Sequence, residues 1–250
     1  MWCEASTPIT GGGPRAQEFE IRFAAYVGKQ YGFFHQSGSS ALLSAVFSTT
    51  FKHEGPVIVG SSGFVAAINA VYHNGARPIF LKTDVSTLQA SALDYDPVDA
   101  EPSSLLVSHF LGNVADTLST QESVKARYVI EDAGQAHGME AVPGYNLRGG
   151  EMEAVLVLTS LADPPARISA RNRTAQMISS VLNSAGNETA VPFSERAKPA
   201  WFDVGIILPE EFIQVRDRLV AMLKAEHVPA ATYPSLIEIA WVKPWMQDNG

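Results

Sequence analysis

The sequence predicts an α/β fold with a mainly parallel sheet, on two observations. Short apolar runs, among them Val57-Ile58-Val59, Leu105-Leu106-Val107 and Tyr128-Val129-Ile130, alternate with segments of helical spacing. Glycine and proline punctuate the boundaries, as at Gly55-Pro56, Gly60 and Asn74-Gly75. That alternation is the pattern of βαβ units, whose strands are covered on both faces and read as unbroken apolar runs.

In chain order, Met1 to Arg15 reads as an irregular arm, since the Gly11-Gly12-Gly13-Pro14 run bars regular structure. Phe19, Phe23, Tyr26 and Val27 then share one helical face, with Gly28 placed to end it. Ser37-Gly38-Ser39-Ser40 opens onto a helix over Ala41 to Phe47. A strand follows at Val57 to Val59, then a helix from Ala66 to His73 ended by Asn74-Gly75, then a strand at Pro78 to Leu81. Two more strands fall at Leu105 to Val107 and Tyr128 to Ile130. Further on, Ala154 to Leu158 reads as a buried strand and Asn172 to Ser184 as a helix stopped by Gly186. Val204 to Leu208 reads as a last strand, and Glu211 to Glu226 as an amphipathic helix. Residues 1–190 are expected to form a large domain and residues 191–250 a small C-terminal one. No internal repeat is evident.

Composition narrows the function classes. The chain has 250 residues, 46% hydrophobic and 18% charged, so the material for a core is ample. A net charge of −8 without any Lys/Arg cluster argues against gripping nucleic acid or an anionic membrane. Cys3 is the single cysteine, so neither an intrachain disulfide nor a cysteine metal site is supported, and no metal is expected. No apolar stretch reaches membrane-spanning length, and the start lacks the pattern of a signal peptide. A soluble, cytoplasmic protein is the expectation.

Four segments carry the chemistry. Ser37-Gly38-Ser39-Ser40 is a small-residue turn feeding a helix, so backbone N–H groups and hydroxyls at the positive helix end can face an anion. The competing role is a serine cap that holds only its own backbone. Phe64, after Gly63, is either a ring that stacks on a ligand or a core aromatic. His109, in Val107-Ser108-His109-Phe110-Leu111-Gly112, is either a ligand contact or a strand cap. Glu131-Asp132-Ala133-Gly134-Gln135-Ala136-His137-Gly138 ends a strand on carboxylates, which either meet a ligand or cap the turn.

These segments, in this order, resemble the DegT/DnrJ/EryC1/StrS sugar aminotransferases, which have the type I pyridoxal-phosphate fold. The resemblance implies a reduced large domain with a mainly parallel sheet, plus a small C-terminal α/β part. It implies that Ser39 and Ser40 lie at the cofactor phosphate, that Phe64 stacks on the ring and that Gln135 lies beside it. Asp132 matches the aspartate that keeps the pyridinium nitrogen protonated and so makes the ring an electron sink. His109 and His137, with Asp132, are the candidates for proton transfer.

The departure is as informative as the match. Family members carry a Schiff-base lysine a few tens of residues after that aspartate, but no lysine lies between Lys125 and Lys198. The arginines in that interval stay protonated and cannot take its place. Two alignments remain open. In one, Val155 to Ser160 is the strand before the lysine and Ser160 the matching serine. In the other, Gly150-Glu151-Met152-Glu153 is a worn Gly-Glu-Gly-Gly and the lysine falls near Tyr145. Neither supplies Lys, or the His of the dehydratase branch, and Lys198, Lys224 and Lys243 match no catalytic position. A block of the large domain, including dimer contacts, reads as deleted.

Three functions follow from the resemblance and its departure. The first is a protein without transaminase activity that partners an aminotransferase-like paralogue in amino-sugar or secondary-metabolite biosynthesis, as a homodimer or heterodimer. The second is an enzyme using pyridoxal or pyridoxamine phosphate noncovalently, or no cofactor, on a sugar-like or natural-product substrate. The third is a conventional aminotransferase. No covalently bound cofactor is expected.

Overall fold

A computed structural model describes residues 12–51, 53–97, 99–136, 154–155, 157–158, 161, 164–186 and 199–233. The expected boundary at 190/191 lies outside them. A five-stranded sheet forms the centre, in the order β3-β2-β1-β4-β5. Its strands are β1 (Val57–Gly60), β2 (Pro78–Asp84), β3 (Gln89–Ser91), β4 (Ser104–Ser108) and β5 (Tyr128–Asp132). β1 pairs in parallel with both β2 and β4, and β4 in parallel with β5; β3 runs antiparallel to β2 at one edge.

Alternation along each strand sorts the core onto two faces. Val57 and Val59 of β1, with Leu106 and Ile130, meet Leu42, Ala45 and Val46 of α2 (Gly38–Thr50) and Ala67, Ile68 and Val71 of α3 (Val65–His73). Ile58, Leu81, Leu105 and Val107 face the other way, onto Ala115, Val124 and Ala126 around α4 (Thr117–Val124). β1 and β4 are buried along nearly their whole length, which is why their runs read so plainly.

The first helix, α1 (Pro14–Tyr26), begins inside the expected irregular arm. Pro14 sits at its first position, where a missing N–H costs nothing. Ala154, Val155, Val157 and Leu158 are helical, correcting the expected strand. Leu161 N donates to Val157 O at 2.9 Å, and Ala154 and Val157 pack against Ala16, Phe19 and Phe34 while Val155 faces solvent. A five-residue apolar run fits either structure until its neighbours decide. The alignment that made Val155 to Ser160 a strand therefore loses its support.

The helix expected from Asn172 begins earlier, as α5 (Pro164–Ser184). Val204 to Leu208 is not a strand: Val204 joins Ala175, Ile178, Leu182 and Trp201 in a satellite cluster on α5. The expected helix over Glu211 to Glu226 divides into a 3₁₀ segment, Glu210–Val215, and α6 (Arg216–Ala225), with no buried residue in either.

Candidate functional site

Sheet order reverses between β1 and β4, and ligands in open α/β sheets sit outside the carboxyl ends of strands at such a switch point. Thr49 Oγ1 donates to Ser104 Oγ at 3.2 Å, which ties the end of α2 to the start of β4. Helix α2 thus runs against the strands and brings Ser37 to Ser40 to their carboxyl ends. The β1–α3 connection brings Phe64 there, and the ends of β4 and β5 bring Ser108, His109, Asp132 and Gln135.

At the turn, Ser37 is the N-cap of α2. Its Oγ accepts from Ser40 N at 3.2 Å, and Ser40 Oγ in turn accepts from Ser37 N at 3.3 Å. Ser40 Oγ also donates to Ser37 O at 2.8 Å, and the residue is buried. A reciprocal cap of this kind engages the Ser40 hydroxyl within the turn. Ser39 is exposed, and the amides of Gly38 and Ser39 precede the bond that Ala41 N donates to Ser37 O. Two residues before the turn, burial pushes the His35 ring down to about 4.

Phe64 occupies the N-cap of α3 with 55% of its surface exposed, so it is not a core aromatic. Its loop is pinned from both sides: Ser61 Oγ and Thr83 Oγ1 are hydrogen-bonded at 2.8 Å, and Ser62 Oγ donates to Leu88 O at 3.1 Å.

Asp132 ends β5 opposite Ser108. Its Oδ1 accepts from Gly134 N at 3.0 Å and its Oδ2 from Ser108 Oγ at 3.3 Å. A carboxylate has about four lone-pair positions, so acceptor capacity remains for another donor. His109 is only 1% exposed and belongs to the framework. Its Nδ1 accepts from Ala115 N at 3.2 Å, its backbone N donates to Asp132 O, and its Nε2 lies 3.5 Å from Glu131 Oε1. That last separation is ion-pair distance if the ring is protonated, but long for a hydrogen bond.

Gln135 bridges two segments that sequence gave no reason to join. Its Oε1 accepts from Leu111 N at 2.7 Å, and its Nε2 donates to Tyr233 Oη at 3.0 Å. Leu111 is left-handed (φ 56), as is Gly112 (φ 85), and their carbonyls accept from Phe202 N at 3.1 Å and Ala200 N at 2.8 Å. The turn after β4 is therefore the hub that fastens the C-terminal segment over the strand ends. Tyr233 was not flagged by sequence, and Ser108 and Leu111 only as neighbours of His109; the Gln135–Tyr233 contact spans 98 positions, and no local pattern encodes it. His137 and Ser160 lie outside the described residues. Among the described residues no cluster could hold a metal ion, and no helix is long and apolar enough to cross a membrane.

The mainly parallel sheet with helices on both faces is the fold of solved pyridoxal-phosphate aminotransferase structures. DesV of S. venezuelae, in complex with a ketimine intermediate, superposes with a TM-score of 0.78 at 21% identity, over 94% of this chain and 78% of that one. A GDP-4-keto-6-deoxymannose-3-dehydratase with a trapped PLP-glutamate geminal diamine gives 0.72 at 17% identity, over 88% and 78%. At the sequence level, the profile of the DegT/DnrJ/EryC1/StrS aminotransferase family matches residues 2–142 and 139–247. The chain belongs to that family. GDP-perosamine synthase of Escherichia coli O157:H7 is 32% identical over 139 residues, which are 54% of this chain and 38% of that protein. The match thus spans well under half of that relative's length.

Proposed function

We propose that this chain is a family member without transaminase activity, acting as an accessory or partner subunit in amino-sugar or secondary-metabolite biosynthesis. The observation that carries the reading is the interval without lysine from Ala126 to Ala197, set beside a strand-end site that keeps Phe64, Asp132 and Gln135. The family profile matches in two pieces that meet at residues 139–142, a few residues past Asp132. That junction supports loss of an internal block where the resemblance places the lysine. Without its nucleophile a covalent-catalysis unit loses several orders of magnitude in rate.

The residues present fit a pyridoxal- or pyridoxamine-phosphate group held without a covalent bond. Asp132 keeps acceptor capacity for a ring N–H, and the exposed Phe64 offers a face for stacking. The amides of Gly38 and Ser39, at the positive end of α2, suit the phosphate better than the engaged Ser40 hydroxyl. When bound, such a group supplies an electron-withdrawing pyridinium ring. Asp132 would hold the proton on that ring's nitrogen. The second reading, an enzyme that works noncovalently on a sugar-like substrate, draws on the same features.

Partnership is supported by apolar surface left open. Phe47 and Phe51 meet with tilted rings, 5.2 Å between centres and 35° between planes, 54% and 72% exposed, on the outer side of α2. Exposed apolar patches of that kind mark interfaces. Light scattering on the chain alone and after co-expression with a full-length family aminotransferase from the same genome tests this. The expected result is a homodimer or a mixed dimer; a monodisperse species of 26.9 kDa in both preparations would contradict it.

A further inference from the structure

Helix α5 (Pro164–Ser184) has 21 residues, roughly 30 Å at about 1.5 Å per residue, and its sequence is ill-suited to standing alone. Asn172, Thr174, Ser179, Ser180 and Asn183 are weak helix formers. The first turn has no acidic residue and the last turn no basic one, so neither end complements the helix dipole. Arg167 instead stands at the positive end, four positions before Arg171, a spacing at which like charges repel. Packing has to hold such a helix. One side is covered, where Ala175, Ile178 and Leu182 meet Trp201 and Val204.

A second side is apolar and open. Ala170, Thr174, Met177 and Val181 follow one another at steps of three and four, so they share a stripe beside the covered one. Met177 is 70% exposed and Val181 67%. Thr174 Oγ1 donates to Ala170 O at 3.3 Å, so the one hydroxyl of the stripe is satisfied within the helix. We propose that this stripe seats a second copy of this chain, the two α5 helices antiparallel, with Ala170 across from Val181 and Thr174 across from Met177. The charges select that occupant. In an antiparallel pair, Arg167 of each helix lies beside the C-terminal turn of the other, where the dipole is negative and no basic residue competes. A parallel pair would set the two Arg167 side chains against each other. The defect at one end and its remedy at the other belong to the same helix, which is the condition for a two-fold, self-complementary contact. This face is separate from Phe47 and Phe51 of α2, and its use requires neither the strand-end site nor a cofactor.

Sedimentation velocity of the full chain over a range of concentrations, with and without Met177→Glu, is the first measurement. The unaltered chain should form a dimer. The variant should dissociate about 100-fold more readily, because the contact would enclose an unpaired charge, while the contacts within each chain stay as they are. Cross-linking in a Cys3→Ser background reads the orientation and does not depend on that variant. Ala170→Cys chains mixed with Val181→Cys chains should join on oxidation, and Val181→Cys chains alone should not. A monomeric unaltered chain, a dimer indifferent to Met177→Glu, or Val181→Cys chains that link to one another would each overturn the assignment. The accessory-subunit reading would outlive any of these results if the chain still joins a full-length family aminotransferase on co-expression.

Discussion

Gly112→Ala should cost about 3 kcal/mol of stability, against about 1 kcal/mol for Gly75→Ala, although both glycines are left-handed. Gly75 (φ 68) has nothing within 4 Å of the place a Cβ would take, so its replacement carries only the conformational cost. At Gly112 (φ 85) a Cβ would lie 2.6 Å from Trp201 N and 2.9 Å from Phe202 N. Both contacts are backbone, so neither can swing aside as a side-chain tip would. Relief requires moving the 200–202 segment, which breaks the bonds from Ala200 N to Gly112 O and from Phe202 N to Leu111 O. Urea denaturation of the two variants measures the difference. Equal losses would mean that the C-terminal segment is not anchored on this turn.

The second large effect lies in binding. Asp132→Asn preserves shape and can keep the local bonds, with the amide oxygen accepting from Gly134 N and the amide nitrogen donating to Ser108 Oγ. It cannot balance a protonated ring nitrogen. A hydrogen bond to a charged group contributes about 1.5–3 kcal/mol, so the affinity for pyridoxamine phosphate should fall roughly 10- to 100-fold. Thermal stabilisation by saturating ligand should shrink accordingly, since it follows occupancy of the folded state. Unchanged affinity in the variant would place the ligand away from β5.

How far these features could be read in advance depended on how local their causes are. Strands β1 and β4 were legible because burial on both faces leaves unbroken apolar runs, β5 because Tyr128-Val129-Ile130 is aromatic and β-branched although only Ile130 is buried, and α3 because its Asn74-Gly75 stop is explicit. Edge strand β3 is three residues of Gln-Ala-Ser, too short and too polar for a period to register. Helix α4 buries only Thr120 and Val124 and is started by Asp116, whose side chain accepts from Ser119 N at 3.3 Å. The runs at Ala154 and at Val204 misled for one shared reason: Ala154 and Val157 pack against Ala16 and Phe19 of α1, and Val204 against α5, so apolar content was present without strand pairing.

The site divided along the same line. The positions of Asp132 and Phe64 were legible because each stands at the end of an element with its own boundary signals, and the structure puts both at the carboxyl edge. Ser40 was flagged for a phosphate, yet its hydroxyl closes the cap of α2, a local competition that serine always brings. Gln135 was placed beside the ring from resemblance, while its bonds to Leu111 and Tyr233 depend on the whole fold.

The most direct measurement of the central claim is reduction with borohydride after incubation with pyridoxal phosphate, followed by mass spectrometry of the intact chain and its peptides. The account predicts the unmodified mass, with bound cofactor removable by dialysis before reduction, because residues 126–197 offer no primary amine. A stoichiometric phosphopyridoxyl adduct on any lysine, Lys198 and Lys224 included, would contradict it and restore lysine-dependent transamination.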